Sequence, residues 1–422
     1  SIIIRTLKII YYHQFGDVFM PKENVKLVST LSNKTYPFER LQEYSDNGES
    51  LDVVIPDIEK AGIRPGKHIW ERFREFLPFR NIDPSISLGE GETPYLQAND
   101  KLIEFSGINN LYLKNEMQNP TWSFKDRGSL TCIAMAKEMG ENVVATISTG
   151  NMGHSMAAYG AKAGLKVLVF VPHFIPNEKI AAIGVHGATI IKVMSAEYST
   201  MKRRVLDMAK KFNLRIVTGN GPVRAEGYKL EAFEIYEQTK GKLPDYIAIP
   251  TSACGHIRGV FKGFLELKQA GLIEKLPKMI VVQAENNSPI VSAIKKGKRH
   301  VIPFKNVHTI AEAITTGDPP GGDEIIDKAY RYGWLAENVS EDEILLSQKI
   351  LAEAGFLVEP ATATSLYAVK TLRDAGKIKK ENSVLMMLTG SGLKDAGVLK
   401  AHQTNLNELK LDKIETLLTE IL

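Results

Sequence analysis

Short, β-branched apolar runs that alternate with amphipathic helical stretches constrain this chain more than any other feature. Residues 111–116, 143–148, 166–171, 189–193, 246–250, 279–284 and 384–388 read as strands. They are mostly apolar throughout rather than at every second residue, the pattern of strands buried on both faces. Between them, 129–139, 154–163, 199–212, 224–239, 257–270 and 341–354 read as helices. This alternation predicts an α/β protein with mostly parallel sheets. Ligands of such sheets bind in the loops that leave the carboxyl ends of the strands, so the functional residues are sought there.

The bulk properties exclude several classes. Of 422 residues, 44% are hydrophobic and 24% charged, enough for a sizeable core. The 53 basic and 49 acidic residues leave a net charge of +4, too weak to argue for nucleic acid or an anionic membrane. Cys132 and Cys254 are too few for a disulfide framework or a cysteine-rich zinc site, and read as free thiols in a reducing cytoplasm. No metal centre is expected. No apolar run reaches the ~20 residues that span a bilayer. Residues 1–20 are interrupted by Arg5, Lys8, His13 and Asp17 and carry no signal-peptide pattern. They read either as a strand of an N-terminal subdomain or as sequence upstream of a start at Met20. The stretch 319–322 reads as a loop, and the tail after Lys400 as a terminal helix.

Four segments at strand ends carry chemistry. In the first, Ser123-Phe124-Lys125-Asp126-Arg127 opens the helix predicted from Ser129. The positive end of a helix lowers a lysine's pKa and frees its amine as a nucleophile. In the second, Ser148-Thr149-Gly150-Asn151-Met152-Gly153 lets backbone approach a ligand, with the Asn151 amide available to bond a hydroxyl. In the third, Ser252-Ala253-Cys254-Gly255-His256 precedes a helix whose N-terminal N–H groups form an anion site. In the fourth, Thr389 to Asp395 follows the last strand, and a hydroxyl there can face a ring nitrogen. Each segment alone reads equally well as an ordinary turn.

In order and spacing the four together resemble the fold-type II pyridoxal-phosphate enzymes and, within them, the threonine synthases. The likeness spans roughly 68–397 and is supported by the stretches 70–78, 87–94, 284–285 and 358–363. It implies a tryptophan-synthase-β-like fold of two three-layer α/β/α domains, with pyridoxal phosphate bound as a Schiff base on Lys125. By the same resemblance Phe124 flanks the ring, Asn151 bonds its hydroxyl, Ser252, Ala253, Cys254, Gly255 and His256 cradle its phosphate, and Thr389 faces its nitrogen. Ser123, Ser148, Thr149 and Met152 line the substrate pocket, and Arg224 and Lys229 bind the substrate's own phosphate. The implied reaction converts O-phosphohomoserine and water to threonine and phosphate. A cytoplasmic homodimer is implied too. The division expected is an N-terminal subdomain (1–75), a large domain (76–129 with 226–400), a small mobile domain (130–225) that closes over substrate, and a helical tail (401–422).

The chain also departs from the family pattern. It lacks the N-terminal cysteine cluster many members carry, so its first subdomain must be held by packing. Ser252, Ala253 and His256 stand where the phosphate loop has more Gly and Asn. Met152 stands where a threonine is usual, and Gly219 and Gly221 stand where Ser and Asn precede the arginine. These losses keep two rivals open. One is an enzyme of the same type acting on O-phosphoserine (cysteate-synthase-like), or on threonine or serine by dehydration. The other is a non-catalytic binder of the cofactor.

Overall fold

A computed structural model describes residues 22–39, 41–79, 82–148, 150–173, 177–194, 198–305, 307–403, 410–411 and 414–421. The expectations for residues 1–20 and for Thr149 lie outside them. Thirteen strands form among the described residues: β1 (Lys26–Ser29), β2 (Thr35–Pro37), β3 (Leu51–Val54), β4 (Tyr95–Gln97), β5 (Asn110–Lys114), β6 (Val143–Ile147), β7 (Lys166–Pro172), β8 (Thr189–Val193), β9 (Arg215–Val217), β10 (Tyr246–Pro250), β11 (Lys278–Ala284), β12 (Leu335–Val339) and β13 (Ser383–Met387). They make a small antiparallel sheet in the order β2-β1-β3, a six-stranded sheet β12-β11-β10-β13-β5-β4 and a four-stranded sheet β8-β7-β6-β9. Every pairing in the two larger sheets is parallel except β4 with β5. This is the α/β architecture the alternation predicts.

Register decides where the site can be. Val384 pairs with Leu111 on one side and Tyr246 on the other, so β5, β13 and β10 lie side by side and end together. The loops that leave them are those of Lys125, Thr389 and Ser252–Cys254. The loop of Asn151 leaves β6, in the four-stranded sheet. The sheets are joined by continuous helices: the boundaries drawn at 129/130 and 225/226 fall inside helices Lys125–Glu138 and Pro222–Gln238.

Several elements differ from the sequence reading. Glu116 does not extend β5; it opens a short 3₁₀ turn, Glu116–Gln118. β4 and β9 are only three residues long, and the edge strand β12 carries Glu337 and Asn338, so none had a run of apolar residues to mark it. The tail expected to be helical after Lys400 contains helix Ile414–Ile421.

The N-terminal sheet packs Leu27, Leu51 and Val53 into the main core. A polar clamp adds to that packing. The buried Arg258 guanidinium donates from Nη2 to the Leu51 carbonyl (2.8 Å) and Asp52 (3.0 Å), and from Nη1 to the Asn220 carbonyl and side chain (both 2.8 Å). The Asn220 amide in turn donates to Ser50 Oγ at 2.7 Å.

A second buried cation fixes the start of helix Lys125–Glu138. Arg127 donates bidentately to Glu116 (2.7 and 2.8 Å) and to Glu234 (2.6 and 2.8 Å), and Lys114 Nζ also reaches Glu234 at 2.7 Å. Burial opposes ionisation of both acids, but Arg127 outweighs it and holds each below the usual carboxylate range. Removing one partner of such a group strands the opposite charges in a dry interior. Arg127→Met is therefore expected to lower stability by about 3–5 kcal/mol, read as a fall in the urea midpoint. An unchanged midpoint would show that the network bears no weight.

Candidate active site

The segment before Lys125 is tied down residue by residue. Thr121 donates to Asp126 from its backbone N–H and its hydroxyl, both at 2.6 Å, and Ser155 Oγ donates to the same carboxyl at 2.6 Å. The Phe124 N–H donates to the Thr389 carbonyl at 3.1 Å, and Ser123 bridges to Gly390, joining the first and fourth loops. Trp122 is bent to φ 64°, a conformation costly for a bulky side chain, while its carbonyl accepts from the Ser391 N–H.

Lys125 is the first residue of its helix. Its Nζ lies 4.2 Å from the Phe124 ring centre and 5.9 Å from that of Tyr228. No carboxylate pairs with it among the described residues. Burial, and then the Arg224 guanidinium, lower its pKa to about 7. Near neutrality a large share of this amine is unprotonated and able to attack a carbonyl carbon.

The other loops face it. Asn151, the first residue of helix Asn151–Ala163, donates from Nδ2 to Glu359 at 2.8 Å. Burial holds the Glu359 carboxyl above its ordinary range. Thr389 Oγ1 lies 2.6 Å from Thr362 Oγ1. Ser252 Oγ donates to Thr316 at 2.9 Å, and Cys254 takes φ 76° to deliver the chain into helix Gly255–Gln269. A Cβ on Gly255 would stand 2.1 Å from the Gly219 carbonyl oxygen, so only glycine admits this approach. Burial pushes the Cys254 thiol up, which makes it a packing group rather than a nucleophile. The His256 ring stacks on Phe124 with centres 3.8 Å apart.

Lys125, Phe124, Asn151, Thr389 and the run Ser252, Ala253, Cys254, Gly255 and His256 thus line one cavity. Other expected residues lie around it. Ser148 Oγ accepts the Gly150 and Gly153 N–H groups, so it shapes the loop. Met152 is buried in the first turn of its helix, and Ser123 is buried with its hydroxyl unpaired. Arg224 is fully buried; it donates from Nε to the Thr218 carbonyl (3.0 Å), and Nη2 has no partner.

Lys229 is a correction. Its ammonium donates to Glu226 (2.5 Å) and the Phe76 carbonyl (2.6 Å) and pairs with Glu266 (2.9 Å), all within the buried core. Its own helix carries it to the scaffold, one turn beyond Arg224, and not to the substrate. The sequence reading also missed Glu359, Thr362 and Glu231. Glu359 and Thr362 fall in the stretch 358–363, whose placement beside the last strand was the one available signal.

These features suit one kind of occupant. The pocket gathers groups of complementary chemistry from several loops. It offers a neutralisable amine, a helix N-terminus for an anion, an aromatic wall and a hydroxyl pair. Two buried nitrogens, His256 Nδ1 of the lining and Arg224 Nη2 nearby, have no partner among the described residues. Pyridoxal phosphate meets each of these groups with matching chemistry. A family model described as pyridoxal-phosphate dependent enzyme matches residues 86–390. The chain belongs to that family. Among curated relatives, threonine synthase of Methanocaldococcus jannaschii is 37% identical over 86% of this chain and 91% of its own. That of Methanosarcina acetivorans is 38% identical over 78% and 80%. Solved structures agree on the fold: maize serine racemase superposes with TM-score 0.63 at 19% identity, covering 76% of this chain and 94% of its own. Threonine deaminase isoform 2 of Solanum lycopersicum gives 0.62 at 21%, covering 74% and 89%. This family member is a pyridoxal-phosphate enzyme of the threonine synthase type.

The Lys125 environment sets a pH dependence. An amine attacks an aldehyde only when neutral, so with Lys125 as the amine that would bond the cofactor, the rate at which apoprotein regains its visible absorption band should rise through a midpoint near pH 7. Arg224→Met removes a nearby positive charge and should move that midpoint upward. A midpoint that stays put, or moves down, would remove Arg224 from the explanation.

Proposed function

We propose that this enzyme converts O-phosphohomoserine and water to threonine and phosphate. When bound, pyridoxal phosphate supplies the electron sink for a carbanion at the substrate's α-carbon. Lys125 would hold the cofactor covalently, then carry protons to and from the substrate carbons once its nitrogen is released. A pKa near neutrality suits one amine to both tasks. Asn151 and Thr389 would orient the ring from two sides, and backbone N–H groups at Gly255 and His256 would take its phosphate.

The observation that carries the reading is Arg224. A buried guanidinium with a free Nη2 donates from Nη1 to the Lys125 backbone carbonyl at 3.5 Å, and its charge acts on the Lys125 amine. Its neighbours there are neutral hydroxyls and carbonyls, Ser129 and Tyr228 among them, rather than a paired acid. A leaving phosphate dianion is the charge that would satisfy it. The named threonine synthases among the relatives support the same choice.

A second reading keeps the chemistry and changes the substrate. Gly219 and Gly221 offer no side chain, the Asn220 amide is committed to Ser50, and Met152 adds no donor. A phosphate clamp so thin suits an unphosphorylated hydroxy amino acid, threonine or serine, better than a strongly gripped phosphate, and O-phosphoserine remains the phosphorylated alternative. By the family resemblance we further propose a cytoplasmic homodimer, with the lobe of residues 130–225 closing over substrate; among the described residues no helix is long and apolar enough to cross a membrane.

Phosphate release from O-phosphohomoserine, O-phosphoserine and buffer, with ammonia release from threonine and serine, separates the readings. O-phosphohomoserine is expected to give the highest kcat/KM, with threonine as product. Arg224→Met should lower that kcat/KM by about 10- to 100-fold, the worth of a charged hydrogen-bond donor, and Lys125→Ala should abolish it. Faster turnover of O-phosphoserine, or of threonine, would overturn the first reading in favour of the second.

A further inference from the structure

His256 carries an unexplained atom. Its ring is buried, lines the cavity and stacks on Phe124, yet Nδ1 has no partner. Its other nitrogen, Nε2, lies 2.8 and 3.0 Å from the two carboxyl oxygens of Glu231. Which nitrogen bears the proton depends on Glu231, because one hydrogen lies between them.

Counting charges around Glu231 answers that question. Two nearby cations, Arg127 and Lys114, are already paired with two carboxylates, Glu116 and Glu234, and the third basic group, the Lys125 amine, is itself pushed toward its neutral form by burial and Arg224. Arg127 Nε comes within 3.6 Å of Glu231, but that nitrogen already donates to Glu116. A third negative charge would have no counter-ion of its own, and burial, then Glu116, push the Glu231 carboxyl well above its ordinary range. The ring cannot supply the cation either: burial, then Lys125 and Arg127, hold His256 well below the usual histidine value. Both directions favour the neutral form of each group. A neutral carboxyl has a hydroxyl to donate, and its nearest acceptor is Nε2. The ring's own proton then sits on Nδ1.

We propose that Glu231 is a positioning residue that fixes the His256 tautomer, so that the Nδ1–H adds a side-chain donor to the cavity's anion cradle for the cofactor's phosphate monoester. This rests on the reading that the Ser252–His256 loop takes that phosphate. It accounts for how a loop with a single glycine keeps enough donors: the imidazole N–H joins the backbone N–H groups at the start of helix Gly255–Gln269.

The test uses full-length protein, stripped of cofactor and reloaded. In ¹⁵N-histidine-labelled protein the His256 resonances, assigned by their loss in His256→Phe or His256→Asn, are expected to show a protonated Nδ1 and a bare Nε2. The opposite tautomer, or an imidazolium, overturns the proposal. His256→Phe keeps a ring against Phe124 and deletes the donor. It is expected to weaken pyridoxal phosphate binding about tenfold, as for one charge-assisted hydrogen bond, and to leave the affinity for pyridoxal, which lacks the phosphate, unchanged. Glu231→Gln can still donate to Nε2 and should keep the wild-type affinity; Glu231→Leu should lose several-fold for pyridoxal phosphate alone. Equal losses for both ligands, or no loss for either, overturn the proposal. Inorganic phosphate added to the pyridoxal-loaded protein should shift the Nδ1 resonance; no shift means another group holds the anion. Borohydride trapping of pyridoxal on Lys125 in the wild type reports the underlying site reading separately. Should His256→Phe fail to fold, His256→Asn and the wild-type tautomer decide the matter.

Discussion

The buried guanidinium of Arg127 is the interaction on which the site's geometry depends. It stands two residues after Lys125 and grips Glu116, just past the end of β5, and Glu234, on helix Pro222–Gln238. Three parts of the fold therefore meet at one planar cation: the strand that leads into the first loop, the helix that Lys125 opens, and the helix that presents Arg224. A guanidinium does this better than an ammonium because its fork bonds two carboxylates bidentately in fixed directions. Lys125 is thereby placed without any direct bond to its own nitrogen, which leaves that nitrogen free to react.

The same network explains why so many acids near Lys125 leave it unpaired. Glu116 and Glu234 are taken by Arg127 and Lys114. Glu359 is turned to the Asn151 amide, and Glu231 to His256. Had any of them reached the amine, the ion pair would have raised its pKa and opposed the effect of burial. Instead burial and Arg224 act in the same direction. The site thus combines a desolvated lysine with a nearby permanent cation, while Glu359 and Glu231, whose charges would raise that pKa, are pushed toward their neutral forms chiefly by burial.

Much of this was legible in the sequence for a definite reason. Strands buried on both faces leave long apolar runs, and the loops after them are where an open parallel sheet binds ligands, so β5, β6, β10 and β13 and their loops could be found by pattern. The cavity's Lys125, Asn151, Thr389 and Ser252–His256 all sit in those loops. Lys229 was misread because local pattern does not say which way a helical side chain points, and Glu359 was missed because its partners lie far away in sequence. Lys229 lies one turn beyond Arg224 and faces the core. Glu359 looks like a loop acid before a proline, yet a Cβ on Gly390 would stand only 2.5 Å from its carboxyl. The tautomer of His256 depends on Glu231, twenty-five positions away. Such links appear only when helices Pro222–Gln238 and Gly255–Gln269 pack together.

The glycines at 219 and 221 also take on a different meaning in three dimensions. A Cβ on Gly221 would sit 2.3 Å from the Glu43 carboxyl, so the residue is small because the N-terminal subdomain reaches in at that point. Glu43 accepts the backbone N–H and the hydroxyl of Thr218, both at 2.7 Å, and the Thr218 carbonyl accepts from Arg224. Asn220, between the glycines, is turned the other way, onto Ser50 and Arg258. The whole 218–221 turn is thus fastened to the first subdomain, which a chain without a cysteine cluster must hold by other means. The side chains of Thr218 and Asn220 thus serve as the subdomain's anchor. In the proposed reaction a substrate phosphate would then rely mainly on Arg224, whose Nε donates to the turn that Glu43 holds.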